Sequence, residues 1–404
     1  MLITKKFPSY FIYLLLINMV TCPAILKWQS SFNGLLLLLM LFSLVIVFFS
    51  LAKDFRLYKY EALLLFFLLT IFFFPSLMHS ERLRWSTVFY SALFCIAFMA
   101  YVRLLNKSII AISQYLRLIK FLIYAYFIVL LIQQFCVFTG LPIFLVNQYS
   151  LSEPWKLNSL SMEPSHTARF IPLLMYSFIT IKEIILNRRY DLKEDVKTDK
   201  YIWIAFLYTM VSMGSGTAFL FIPIVLLKFM RGKNIAFLVA LILVLWSVEQ
   251  LINPKTLKRT TDTFLAALTL NENKIIETDG SAAYRIVPIM VVGKNIGFTT
   301  LNDWFGHGID STSMLLSNYS LGGGEDIVGG GIFYIWYEYG FITFLLFFLF
   351  SFLTCYKKED LFSVVFWFFL VFMYGVNSQM VWSCILLLHT NKFFIVKTSN
   401  VILK

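Results

Sequence analysis

The sequence predicts an all-α, polytopic integral membrane protein of about twelve transmembrane helices with one large extracytoplasmic loop. Three observations lead there. The 404 residues are 59% hydrophobic and 14% charged, with a mean hydropathy of +0.78, whereas a soluble domain carries roughly 25% charged residues. Apolar runs of about 20 residues, enough to cross a bilayer, recur along the chain. The net charge of +12 comes mostly from Lys and Arg in the short segments between those runs. That is the positive-inside pattern of a membrane protein, so no nucleic-acid partner is expected.

Taken in order, spans are expected at 10–26, 34–52, 61–78, 86–105, 118–138, 167–186, 201–213, 217–230, 235–249, 332–354, 361–376 and 380–394. The start, Lys5-Lys6 before an apolar run, resembles a signal peptide but lacks a small-x-small cleavage site, and reads as a retained first helix. Two of the later apolar stretches are interrupted, one by Gly214-Ser215-Gly216 and one by Asn377-Ser378-Gln379. Each is either a pair of short helices or one long kinked helix. Non-helical backbone at membrane depth survives only where protein or water satisfies it, so both interruptions are expected to face a cavity.

The chain divides on this reading into membrane helices over 1–250, a large loop over 251–331 and further membrane helices over 332–404. With the amino terminus inside, most of the 34 Lys and Arg fall on inner segments. Both termini are then cytoplasmic and the loop lies outside. Lys27, Arg82, Arg84, Lys156 and Arg169 remain on the outer side beyond the loop, which makes them informative. The five cysteines fall in or beside apolar runs and none lies in the loop, so no disulfide framework or zinc site is expected.

Two polar stretches carry candidate chemistry. The first, Ser161-Met-Glu-Pro-Ser-His-Thr-Ala-Arg169, opens the span at 167–186. Its plain reading is a helix start, with Pro164 in the first turn and Glu163 favoured by the dipole. That does not account for Arg169, a guanidinium in an apolar helix, where charge is costly and usually functional. Glu163, His166 and Arg169 are spaced by three and share a helical face. A carboxylate, an imidazole and a guanidinium there suit acid–base chemistry beside an anion.

The second stretch is the loop. Arg285, in Ser-Ala-Ala-Tyr-Arg-Ile-Val-Pro, sits on an expected amphipathic helix and either snorkels to the interface or clamps an anion. Phe305-Gly-His-Gly308 is a turn whose backbone N–H groups suit an anion. His307 is as much a structural as a catalytic candidate. Ser215 and Thr217 are helix-break residues on the plainer reading. The acidic pairs Glu277/Asp279 and Glu325/Asp326 are ordinary surface pairs, and no metal is expected. The sequence has no P-loop, dinucleotide fingerprint or HExxH, so neither ATP-driven nor zinc-hydrolase chemistry is indicated.

The order of these motifs carries a resemblance. An outer Met-Glu-Pro-Ser-x-x-Ala-Arg at 162–169 is followed by Met-Gly-Ser-Gly-Thr at 213–217. Tyr284-Arg285 and Phe305-Gly-x-Gly308 come next, then the glycine-led span Gly329-Gly-Gly-Ile-Phe-Tyr-Ile-Trp-Tyr-Glu-Tyr-Gly340. This resembles the O-antigen polymerase (Wzy-type) family, within the group that also holds the O-antigen ligases. Ligases of that group carry a functional histidine shortly before the x-x-Glu-x-Gly pattern, and Ile327-Val-Gly-Gly-Gly331 has none, which favours the polymerase.

The resemblance implies a glycosyltransferase on the periplasmic face of the bacterial inner membrane. It would pass a growing glycan from its polyprenyl diphosphate carrier to the terminal sugar of a new lipid-linked repeat unit. Glu163, His166 and His307 are the candidate acid–base residues. Arg169 and Arg285, with Ser165, Ser215, Thr217, Gly306 and Gly308, are the candidate diphosphate contacts, since arginine forks hold phosphate oxygens bidentately. No cofactor is expected, because the diphosphate bond supplies the energy. The expected partners are the polyprenyl-diphosphate-linked oligosaccharide, membrane lipid and a chain-length regulator protein. An O-antigen ligase, a lipid-linked oligosaccharide flippase or transporter, and a structural or sensory membrane protein are the alternatives.

Overall fold

The structure is a computed structural model. It describes residues 3–22, 27–28, 32–79, 84–107, 109–146, 153–213, 215–229, 262–263, 265–317, 319, 330–358 and 360–402, with isolated positions between 236 and 258. Apart from those isolated positions the expected span at 235–249 lies outside the described residues, as does the segment 320–329. By compactness the chain forms two units. The first comprises 1–39, 104–257 and 387–404, and the second 40–103 and 258–386. This partition cuts across the sequence-order segments 1–250, 251–331 and 332–404.

The architecture is helical: α1 Ile3–Val20, α2 Gly34–Lys53, α3 Lys59–Met78, α4 Trp85–Asn106, α5 Ile112–Thr139, α6 Pro164–Leu186, α7 Asp195–Thr198, α8 Lys200–Ser212 and α9 Gly216–Leu227. After them come α10 Glu272–Thr278, α11 Gly280–Asn295, α12 Leu301–Phe305, α13 Ser311–Leu316, α14 Phe333–Cys355, α15 Leu361–Trp367 and α16 Gln379–Ile402. Among the described residues a two-residue antiparallel pair, Lys27–Trp28 with Phe32–Asn33, and an isolated antiparallel bridge between Lys357 and Asp360 are the extended-backbone departures. Six helices are long and apolar enough to cross a membrane: α2, α3, α4, α5, α14 and α16 up to Thr398. Pro8–Val20, Gly216–Leu227 and Leu361–Phe372 are apolar but shorter.

In the first unit α5, α8 and α9 pack against α6. Pro164 stands at the first helical position of α6, where its missing N–H costs nothing. The helix ends at Asn187, which takes a left-handed conformation (φ 50°). Every residue of α6 from Thr167 to Ile181 is buried. Because protein and not lipid surrounds α6, it tolerates Arg169, Ser177 and Thr180. It carries three charged residues, Arg169, Lys182 and Glu183, and is not among the six.

Beyond α6, Arg188 grips Asp195 with both guanidinium nitrogens, at 2.8 and 2.7 Å, while Lys182 reaches Asp199 at 2.9 Å and Lys228 reaches Glu183 at 3.0 Å. The Arg188 hydrogen bonds hold the Asp195 carboxyl below the usual carboxylate range, assisted by the Asp191 N–H. A depressed folded-state value contributes stability above the unfolded pKa of about 3.9, and that contribution fades as pH falls through the folded value. Unfolding midpoints in detergent should therefore drop below about pH 4 more steeply for wild type than for Asp195→Asn. Parallel curves would show that this clasp does not hold the fold.

Both apolar interruptions are true breaks. The first separates α8 from α9. Gln134 donates to the stranded Ser212 carbonyl at 3.3 Å. The second separates α15, with its π-helical continuation Phe368–Phe372, from α16. Trp382 Nε1 donates to the Val376 backbone carbonyl at 2.6 Å, and the Ser91 hydroxyl donates to the side-chain oxygen of Asn377. Protein side chains thus satisfy backbone that a bilayer would not.

In the second unit α14 packs against α3, α11, α12 and α13. Trp382 is fully buried and stacks on Phe94 with a 2° interplanar angle. On α11, Ala283, Val287 and Val291 recur every four residues and pack with Ile275 and Leu316 in one apolar cluster. This is the amphipathic helix the sequence indicates around Arg285. The segment 251–331 holds α10 to α13 among its described residues.

Candidate functional site

The site grows from two glycines. Gly340 interrupts α14 with φ 87°, and Gly306 ends α12 with φ 100°. A Cβ on Gly306 would strike the Glu338 carbonyl, and one on Gly340 would strike the Trp304 carbonyl. Each glycine therefore admits the other segment's backbone at a distance no side chain allows, and at a φ few other residues adopt. The Phe305–Gly308 turn is pressed into the kink of α14.

Hydrogen bonds then fix the turn residue by residue. The His307 N–H donates to the Tyr337 carbonyl at 2.8 Å, and the Gly308 N–H to the Glu338 carbonyl at 3.3 Å. His307 Nδ1 also lies 3.1 Å from the Tyr337 carbonyl. Because a carbonyl only accepts, Nδ1 carries the proton, and in the neutral ring Nε2 keeps its lone pair. The ring stacks on Tyr337, centroids 4.3 Å apart and planes 7° apart. Upstream, Trp336 Nε1 donates to the Asp303 carbonyl at 3.1 Å.

Asp303 and Thr300 form a capping box at the start of α12. Burial pushes the Asp303 carboxyl up, but the donors of Thr300 and Thr299 outweigh it, and the group lies below its ordinary value. Downstream, Thr312 donates both its N–H (3.3 Å) and its hydroxyl to the buried Glu338 carboxyl. His79, just past α3, donates from Nε2 to the Gly306 carbonyl at 3.0 Å. Arg84 reaches Asp310, the residue before α13, at 3.3 Å.

These contacts enclose an open cleft of about 510 Å³ lined by His79, Asn302, His307, Ser311, Met314, Leu315 and Tyr337. Two of the four histidines in the chain meet here. The lining offers two imidazoles, a carboxamide, a hydroxyl and a phenol beside a small apolar wall. Such a set can hydrogen-bond a polyhydroxylated ligand and take a proton from it. His79 and Arg84 lie between α3 and α4, so that connection and the segment 301–316 meet at the cleft.

Of the residues that the sequence singles out, His307 lines this cleft, while Gly306 and Gly308 flank it in the turn without lining it. Arg285 does not line it: it is half-buried on α11 beside the apolar cluster. Glu163, Ser165, His166 and Arg169 lie together at the start of α6 in the first unit, on a gradient from exposed Glu163 through half-buried His166 to buried Arg169. Glu163 holds the N-cap position but caps with no side-chain bond, and instead accepts from the Ser165 hydroxyl at 3.0 Å. Ser215 is the buried N-cap of α9 and Thr217 lies in its first turn, the helix-break reading of both.

Sequence reasoning missed His79, Asn302, Ser311 and Tyr337. His79 left one signal, an imidazole ending an apolar span on the side assigned to the loop. In comparisons with models of known families, with curated proteins and with solved structures, none matches this chain.

Proposed function

We propose that this protein is a polysaccharide polymerase, a glycosyltransferase that joins polyprenyl-diphosphate-linked oligosaccharide repeat units at the outer face of a bacterial inner membrane. The observation that carries this reading is the cleft. It brings His307 together with a second imidazole and neutral hydrogen-bonding groups just past α3, an arrangement that would suit a lipid-linked sugar presented beside a membrane helix. Among the described residues its polar lining is His79, Asn302, His307, Ser311 and Tyr337, a set that suits sugar hydroxyls. His307 Nε2 is then the base that takes the acceptor hydroxyl proton while the diphosphate departs. About twelve spans, with both termini cytoplasmic, belong to this proposal, as does a chain-length regulator as partner.

Arg285, in the same unit as the cleft though not in its lining, is the candidate for the departing diphosphate. A fork that grips two oxygens is poorly replaced by lysine, so Arg285→Lys should fail if it acts there. The function itself is tested by reconstituting the purified protein in liposomes with polyprenyl-diphosphate-linked repeat units and no nucleotide sugar. A ladder of polymer is expected. In cells, loss of the protein should leave lipopolysaccharide bearing a single repeat. Absence of a ladder in the liposomes, or lipopolysaccharide with no repeat at all in the cells, would overturn the proposal and, in the second case, point to a flippase.

A further inference from the structure

The geometry points to Glu338 as a positioning residue that sets the shape of the cleft through Thr312 and, by its own backbone, through the His307 turn. Three consecutive residues of α14 act as a template. Trp336 holds the Asp303 carbonyl, Tyr337 holds His307, and Glu338 holds Gly308 and Thr312. Only Glu338 does part of this with its side chain in a way that reaches α13. One carboxylate oxygen accepts both the N–H and the hydroxyl of Thr312.

Thr312 is the second residue of α13, and its N–H is one of the helix-start donors that no intrahelical carbonyl can satisfy. Asp310, at the N-cap, makes no side-chain cap and sits in a left-handed conformation. The cap therefore comes from α14, far away in sequence. Three of the cleft's lining residues, Ser311, Met314 and Leu315, belong to the helix it caps. Glu338 is 1% exposed, Thr312 is 1% exposed, and neither lines the cleft. Glu338 thus acts on the ligand only through the wall that it anchors. His307 keeps its own bond to the Tyr337 carbonyl, so the proton assignment of the imidazole does not depend on the Glu338 side chain.

This inference rests on the polymerase reading for its activity arm, and a second arm is independent of it. Glu338→Gln keeps a carbonyl oxygen that accepts from Thr312, and Glu338→Ala removes it. In the liposome assay Glu338→Ala should raise KM for the lipid-linked acceptor about ten-fold, a cost of about 1.4 kcal/mol, with kcat within about two-fold of wild type. Glu338→Gln should stay close to wild type. Thr312→Val should copy Glu338→Ala, and Thr312→Ser should not.

The independent arm is the rate at which diethyl pyrocarbonate acylates His307 in detergent-solubilised protein, read by mass spectrometry. Loosening α13 uncovers one side of the imidazole, so Glu338→Ala and Thr312→Val should be acylated about three-fold faster than wild type and Glu338→Gln at the wild-type rate. If wild type makes no polymer but the acylation pattern holds, the polymerase reading fails and the positioning role stands. If Glu338→Ala matches wild type in acylation, or if Glu338→Gln is as damaged as Glu338→Ala, the positioning role is overturned. Should Glu338→Ala not fold, Thr312→Val alone decides by the same two readings.

Discussion

His307→Ala is expected to lower polymer turnover by about 10²–10⁴-fold, the range that a positioned general base contributes. The size of the effect follows from how completely the ring is committed. Its Nδ1–H is spent on the Tyr337 carbonyl and its face on the Tyr337 ring, which leaves Nε2 as the one basic atom of the side chain. His307→Asn separates chemistry from support. An asparagine amide can reproduce the donor to Tyr337 but offers no base, so it should fold like wild type and still lose the activity. KM for the lipid-linked acceptor should move little in either variant. A His307→Asn protein with wild-type turnover would remove His307 from the chemistry and return it to the role of a turn residue.

The second large effect concerns stability, not chemistry. Arg103 Nη2 lies 2.7 Å from Glu61 Oε2, with both side chains almost wholly buried. Arg103 also donates to the Arg56 carbonyl at 3.1 Å and lies over the Tyr58 ring. Glu61 accepts from the Tyr58 N–H at 3.0 Å and so closes the start of α3. Removing one member leaves an uncompensated buried charge, which costs about 3–5 kcal/mol, whereas replacing both with apolar residues of similar volume is often neutral or stabilising. Glu61→Ala and Arg103→Ala should each reduce thermal stability in detergent sharply, and Glu61→Leu combined with Arg103→Met should recover most of it. A double variant as unstable as the singles would show that the contacts to Arg56 and Tyr58, not the charge pair, carry the clasp.

This pair also marks the limit of what the residues alone disclose. Arg103 reads from the sequence as one more positive charge on an inner segment, and Glu61 as the start of a span. Nothing in either neighbourhood names the other. The helix breaks were legible because Gly214-Ser215-Gly216 and Asn377-Ser378-Gln379 interrupt apolar runs with residues that leave helices readily. The Phe305–Gly308 turn was legible for its two glycines. Their reason was not, since it depends on Glu338 and Gly340 of another helix meeting that turn backbone to backbone. His79 stayed hidden because it joins Gly306 across 227 positions, a separation that only the packing of α3 and α14 closes. Glu338 was visible as part of a Tyr-Glu-Tyr-Gly pattern, but its work lies in Thr312.

The break between α8 and α9 has a consequence for how this stretch meets lipid. Their 13 and 12 residues make rods of about 20 and 18 Å at 1.5 Å per residue. The hydrocarbon layer is about 30 Å thick, so neither rod crosses it unaided. A re-entrant hairpin that dips to mid-depth and turns back at Ser215 fits those lengths without hydrophobic mismatch. Lys182 on Asp199 and Lys228 on Glu183 tie the residues just before α8 and just after α9 to α6, as the open end of such a hairpin would require. Such a hairpin returns the chain to the side it left, as two full crossings would. The sidedness of every later helix is therefore the same in either case, and a count of positive charges is blind to the difference.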